Sequence, residues 1–150
     1  MGMALMNIDT CELVRTGTCE IGPKKMCKAN EAYVIARSVS AVELFLAGDK
    51  ITAFICERNL KMNTQRALDV QGCGLLGYFY ARDVRILMIQ PMDLKNHFEL
   101  ECTGSHTQNK KAPLQKIREL GYPPPEDDHQ TDAILLARYW INVVHNYSQR

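Results

Sequence analysis

Apolar positions along this chain follow two different periods, and the switches between them mark the elements. Residues 3–8 and 12–21 are β-forming runs, with Asp9-Thr10-Cys11 between them as turn residues, which predicts a hairpin. Gly22-Pro23 ends the second run. From 29 to 47 the period changes: Ile35, Val39, Val42 and Leu46 lie four, three and four apart, on one helical face closed by Gly48-Asp49. Ile51-Thr-Ala-Phe-Ile-Cys-Glu57 then runs apolar straight into an acid, the pattern of a buried strand that delivers one carboxylate to a sheet edge. A helix is predicted over 63–81, capped by Asn63 or Thr64. Val84 to Ile89 reads as a strand ended by Gln90-Pro91, and a short helix follows over 92–98. Residues 99–112 are polar and predict a mobile loop that carries Lys110-Lys111. Pro113 can start a helix to 120, and Gly121-Tyr-Pro-Pro-Pro125 is a stiff connector. The last helix, over 129–146, places Ile134, Ala137, Ile141 and Val144 on one face.

A hairpin followed by alternating strands and helices predicts an α/β fold, a mixed sheet flanked by helices, in one domain over 1–150. Composition supports a packed core: 46% of residues are hydrophobic and 23% charged, so the chain is not a disordered one. No apolar run reaches ~18 residues, and the first residues have no basic region before a short apolar run, so neither a membrane span nor a secretion signal is expected. The six cysteines contain no Cys-x-x-Cys pair, which disfavours zinc and suits reduced thiols in a cytosolic or nuclear compartment. A net charge of +1 excludes a strongly basic coat but allows clustered cations beside an acidic site. Gly72-Cys-Gly74-Leu-Leu-Gly77 matches a nucleotide-binding fingerprint by letter. It falls in mid-helix, not between a strand and a helix start, so close packing of that helix on the sheet is the expectation.

Candidate chemistry concentrates in acids. Glu57 ends its strand, and Asp127-Asp128-His129-Gln-Thr-Asp132 opens the last helix, with His129 and Asp132 three apart on one face. Asp127 and Asp128 also suit helix capping, and Asp132 alone would pass for a solvated first-turn acid. With Glu57 added, the set suits a hard cation such as Mg²⁺, which takes carboxylates plus water and phosphate. Two such ions ~3.5–4 Å apart can support phosphodiester cleavage.

Read in order, Phe54-Ile-Cys-Glu57-Arg, the small-residue helix, Met88-Ile-Gln-Pro91, Leu94-Lys95 and Asp128-His129-Gln-Thr-Asp132-Ala133 resemble the RuvC-type Holliday-junction resolvases. The likeness is greatest to the poxvirus and mitochondrial branch, and it covers nearly the whole chain. It implies an RNase H-like fold and a Mg²⁺-dependent endonuclease, with Mn²⁺ as a substitute, that cuts four-way DNA junctions as a homodimer. The poxvirus likeness implies a viral source. Glu57 matches the acid that ends the family's fourth strand, and His129 and Asp132 match its final His-x-x-Asp motif, with Asp128 as a further candidate. Lys110-Lys111 resemble a basic pair ahead of the last helix, and Lys95 a lysine after the fifth strand. Arg58, Lys61 and Arg66 follow Glu57 and are further candidates for phosphate contact, whereas Lys116 reads as an ordinary surface charge.

The departure from the family is at the front, where a strand reading roughly Ile-Asp-x-Gly is expected. On one register residues 1–8 are the second strand and 12–21 the third, and the first strand with its aspartate is missing. On the other, Ile8-Asp9 ends the first strand and Asp9 is a catalytic metal ligand, without the glycine. The first register leaves open a binding module that keeps the fold and does not cut. A different RNase H-like nuclease, acting on RNA–DNA hybrids or flaps, is the third reading.

Overall fold

The computed structural model describes residues 1–20, 31–57, 66–100 and 106–145, with the backbone alone at 66–69, 106–110 and 144–145. The elements are β1 (Gly2–Met6), β2 (Leu13–Thr18), α1 (Glu31–Leu46), β3 (Ala53–Glu57), α2 (Arg66–Tyr80), β4 (Arg85–Ile89), α3 (Pro91–His97), α4 (His106–Glu119) and α5 (Asp128–Trp140), with a π-helical turn over Ile141–His145. This is the α/β class that the pattern predicts. The elements fall into two compact units: residues 1–18 with 89–150, and residues 19–88.

In the first unit β1 and β2 form the expected hairpin, antiparallel from the rung Gly2–Thr18 to Met6–Leu13, with an irregularity at Leu5/Met6. The connection is built on Asn7, whose side-chain oxygen accepts the amides of Asp9 (2.9 Å) and Thr10 (3.0 Å). Such an Asx turn lets a short polar side chain replace a backbone partner. Cys11 takes the left-handed conformation there, at φ 60°. The hairpin lies against α5. Beneath it Leu94, Phe98, Ile117, Ile134 and Leu135 form the buried core, the last three with no exposed surface. Full burial of such a side chain contributes about 1.5–3 kcal/mol.

One predicted loop is a helix. α4 begins at His106, so Lys110 and Lys111 belong to a helix and Pro113 lies inside it rather than at its start. The segment from 106 to 112 has no apolar face, so nothing in its periodicity announces a helix. Proline in a helix interior removes one hydrogen bond and costs about 3 kcal/mol. The fully buried Ile117 one turn later anchors the helix to the core against that cost. Residues 99–100 precede this helix, and 101–105 lie outside the described residues.

The second unit packs α1 on α2. A Cβ at Gly74 would come within 2.8 Å of the Ile35 side chain, so the glycine permits a close approach between helices. The small-residue helix thus meets α1 at this point, not the sheet that the sequence suggested. Gly72 and Gly77 have open space where a Cβ would stand. On α1 the buried line is Val34, Ser38 and Val42, with the Ser38 hydroxyl bonded to the Val34 carbonyl at 2.7 Å. Phe54 of β3 stacks on Phe79 of α2 with ring centroids 4.3 Å apart, which ties strand to helix.

Among the described residues β1 pairs with β2 and β3 with β4, as two two-stranded ladders rather than the single mixed sheet expected from sequence. The outer edge of β1 and one edge of β3 therefore have no strand partner among these residues. No helix among the described residues is long and apolar enough to cross a membrane.

Candidate functional site

The start of α5 is built by a capping arrangement that the sequence half reveals. Asp127 is the N-cap, in extended conformation at φ −150° and ψ 173°. Its Oδ1 accepts the Gln130 amide at 2.8 Å, and its Oδ2 accepts the Thr18 hydroxyl at 2.6 Å. The Gln130 side chain reaches back, accepting the Glu126 amide and donating to the Glu126 carboxylate, both at 3.1 Å. This is close to the reciprocal logic of a capping box. The Thr18 hydroxyl, then the Gln130 amide, hold the Asp127 carboxyl below its ordinary range. Its folded pKa is depressed, so its contribution is present above the unfolded value of about 3.9. It is lost as pH falls through the lower folded value.

These contacts decide which way the first turn faces. Gln130 and Thr131 are each 2% exposed. His129 and Asp132, three apart, lie together on the exposed side, and Asp128 is half-buried. The backbone of β1 passes directly against this turn: a Cβ at Gly2 would overlap the His129 carbonyl group. Gly2→Val is therefore expected to destabilise the fold by roughly 1–3 kcal/mol, the usual cost of forcing atoms into filled space. Urea unfolding of both proteins measures it; equal midpoints would show that the strand yields freely.

The structure does not bring Asp9 to this turn. Gly2 is at the His129 end of β1, whereas Asp9 lies beyond the opposite end, exposed in the hairpin connection. Five strand residues at ~3.3 Å each carry the chain about 16 Å away. There the Tyr122 hydroxyl donates to the Cys11 carbonyl at 2.8 Å, which ties the connection to the segment between α4 and α5.

Glu57 ends β3 in the other unit and is exposed, as the strand pattern predicts. Burial raises the pKa of its neighbour Cys56, a thiol that serves as a small apolar group. Lys95 is exposed on α3, between the buried Leu94 and Phe98. Lys111 is exposed on α4, and Lys110 belongs to the same helix. Lys116 pairs with Glu119 at 3.0 Å, in keeping with an ordinary surface charge. Arg66 opens α2, and Arg58 and Lys61 lie outside the described residues.

Among the described residues no group of three or more His, Cys, Asp or Glu is gathered to hold a metal ion. The donor chemistry of the α5 turn nonetheless fits a divalent ion in part. Asp132 offers carboxylate oxygens suited to Mg²⁺ or Mn²⁺, and His129 an imidazole nitrogen on the same face. Two donors on one turn need further carboxylates to complete a site.

No protein-family model matches the sequence, and no curated protein matches it. Solved structures do. The chain is similar to Thermus thermophilus RuvC in complex with a Holliday junction substrate, with a TM-score of 0.70 and 15% identity over 95% of this chain and 89% of that one. A second T. thermophilus RuvC structure gives a TM-score of 0.60 and 16% identity over 87% of this chain and 78% of that one. The chain therefore has a RuvC-like fold, of the RNase H-like class.

Proposed function

We propose that this protein is a divalent-metal-dependent, structure-selective DNA endonuclease that acts on four-way junctions. One observation carries the reading. The α5 turn presents His129 and Asp132 outward from the end of a β-hairpin, in a chain whose fold matches a RuvC bound to a Holliday junction. Asp132 and His129 are the proposed ligands of Mg²⁺, with Mn²⁺ as a substitute, and Glu57 is a separate candidate carboxylate at the end of β3. When bound, the metal would activate water and stabilise the leaving oxygen in phosphodiester cleavage. Asp132 would contribute negative charge that draws the cation in, and His129 would either hold the ion or, left unligated, orient or accept a proton from the attacking water. Asp128 supports the same turn. The His129-x-x-Asp132 motif and the pair Lys110-Lys111 support the poxvirus and mitochondrial-like branch. Two symmetric cuts in a four-way junction suit a two-fold dimer.

The site is completed, in this reading, by an aspartate on a strand other than β1–β4. Two features support this. Asp9 is at the wrong end of β1, and β1 and β3 each have an edge without a strand partner among the described residues. Apolar edges of this kind are templates for another strand. The same features favour a second reading for the chain acting alone: it binds branched DNA and cuts it poorly.

Binding rests on phosphate contacts from Lys95, Lys110 and Lys111, with Arg58, Lys61 and Arg66 as further contributors. Lys110 and Lys111 belong to the helix α4 and not to the loop expected from sequence. Lys110→Ala with Lys111→Ala is expected to weaken binding to junction and linear DNA alike. It should also reduce the slope of log affinity against log salt by up to about 2. Titrations of a labelled junction at several salt concentrations measure this. An unchanged slope would assign both lysines to the solvated surface. Tighter binding to a junction than to a linear duplex of equal length is the test of the proposed substrate; equal affinity would contradict it.

A further inference from the structure

We infer that Asp127, Thr18 and Gly2 are positioning residues that fix the metal-facing side of the α5 turn; this rests on the site proposed above. Three observations converge on one place. Gly2 and Thr18 face each other as a rung of the hairpin ladder. Thr18 holds Asp127 by its hydroxyl, while Gly2 lets the β1 backbone reach the His129 carbonyl. A single rung thus grips two consecutive parts of the turn, its cap and the backbone of a proposed ligand. The grip runs through residues 109 apart in sequence, so it sets the turn against the hairpin and does more than cap a helix. Asp127 is itself an acid beside the site, and its two carboxylate oxygens accept from Gln130 and Thr18. These bonds orient the turn that carries Asp132 and His129; a lone pair remains on each oxygen, and Asp127→Asn separates positioning from ligation. Gln130 and Thr131, buried beneath, complete the arrangement and leave the turn one way to face.

Mn²⁺ titrated into the full chain, followed by paramagnetic broadening of backbone amide signals, tests this without any cleavage. In the wild type the signals around residues 128–133 should broaden, and Asp132→Asn should remove the effect. Asp127→Ala should weaken Mn²⁺ affinity roughly tenfold, the loss typical when a group that supports a ligand is removed. Thr18→Val, which replaces the hydroxyl by a methyl, is the milder variant should Asp127→Ala fail to fold, and it should also weaken affinity. Asp127→Asn should keep affinity within about twofold, because its amide oxygen can still accept from Gln130 and its NH₂ can donate to Thr18. Unchanged affinity in folded Asp127→Ala and Thr18→Val would overturn the inference and leave Asp127 a simple cap. Equal losses in Asp127→Asn and Asp127→Ala would overturn it by making the charge itself a ligand. Broadening that ignores Asp132→Asn would instead defeat the metal site on which the inference rests.

Discussion

Asp132→Asn is expected to lower Mg²⁺-dependent junction cleavage at least about a hundredfold, measured in the most active form of the protein. Shared carboxylates hold the divalent ions in two-metal phosphodiester chemistry, and an amide neither carries the charge nor binds a hard cation as well. A hundredfold loss corresponds to about 2.7 kcal/mol of transition-state stabilisation. Asp132 is exposed, and asparagine has the same shape, so the fold should be retained. Single-turnover cleavage and thermal unfolding of the same preparation separate the two effects. Full cleavage by the variant would remove Asp132 from the site.

Leu135→Ala should have the opposite profile. Leu135 has no exposed surface and lies in the core between α5 and its neighbours. Alanine is at least as good a helix former, so the loss is one of packing and cavity. The expected destabilisation is about 2–5 kcal/mol. For a chain of this length that is a fall in melting temperature of roughly 5–15 °C. Calorimetry measures it, and a shift under about 2 °C would mean that the site collapses around the smaller side chain. Because α5 carries His129 and Asp132 at its start, metal affinity below the new melting point should be little changed.

Much of this fold is legible in the sequence because its elements advertise one face each. β3 announces itself by an apolar run that stops at Glu57, and α5 by its acidic start and apolar period. α4 is missed because its first half has no apolar face and Pro113 looks like a beginning. What holds that helix is Ile117, whose burial is a tertiary fact. Ser38 is missed on α1 for a related reason: a serine in the buried line satisfies itself by bonding to the Val34 carbonyl, which hydrophobic periodicity does not register. In the candidate site, Asp127 and Gln130 at capping spacing are readable locally. Gly2 and Thr18 are not, since their role depends on a strand rung meeting a helix more than a hundred residues away. Asp9 shows the converse. By letter it could end a strand as a catalytic acid, but Asn7 and the hairpin register put it in a turn at the far end of β1 from His129.

The most direct test of the proposed function is a four-way-junction cleavage assay in Mg²⁺, comparing three proteins. They are the chain as written, the chain with Asp9→Asn, and the chain preceded by a strand that ends in Ile-Asp. The account predicts weak or no cutting by the first two, indistinguishable from each other, and strong cutting by the third, lost again with Asp132→Asn. Robust cutting by the chain as written that Asp9→Asn abolishes without unfolding the protein would contradict it, and would make Asp9 the missing ligand.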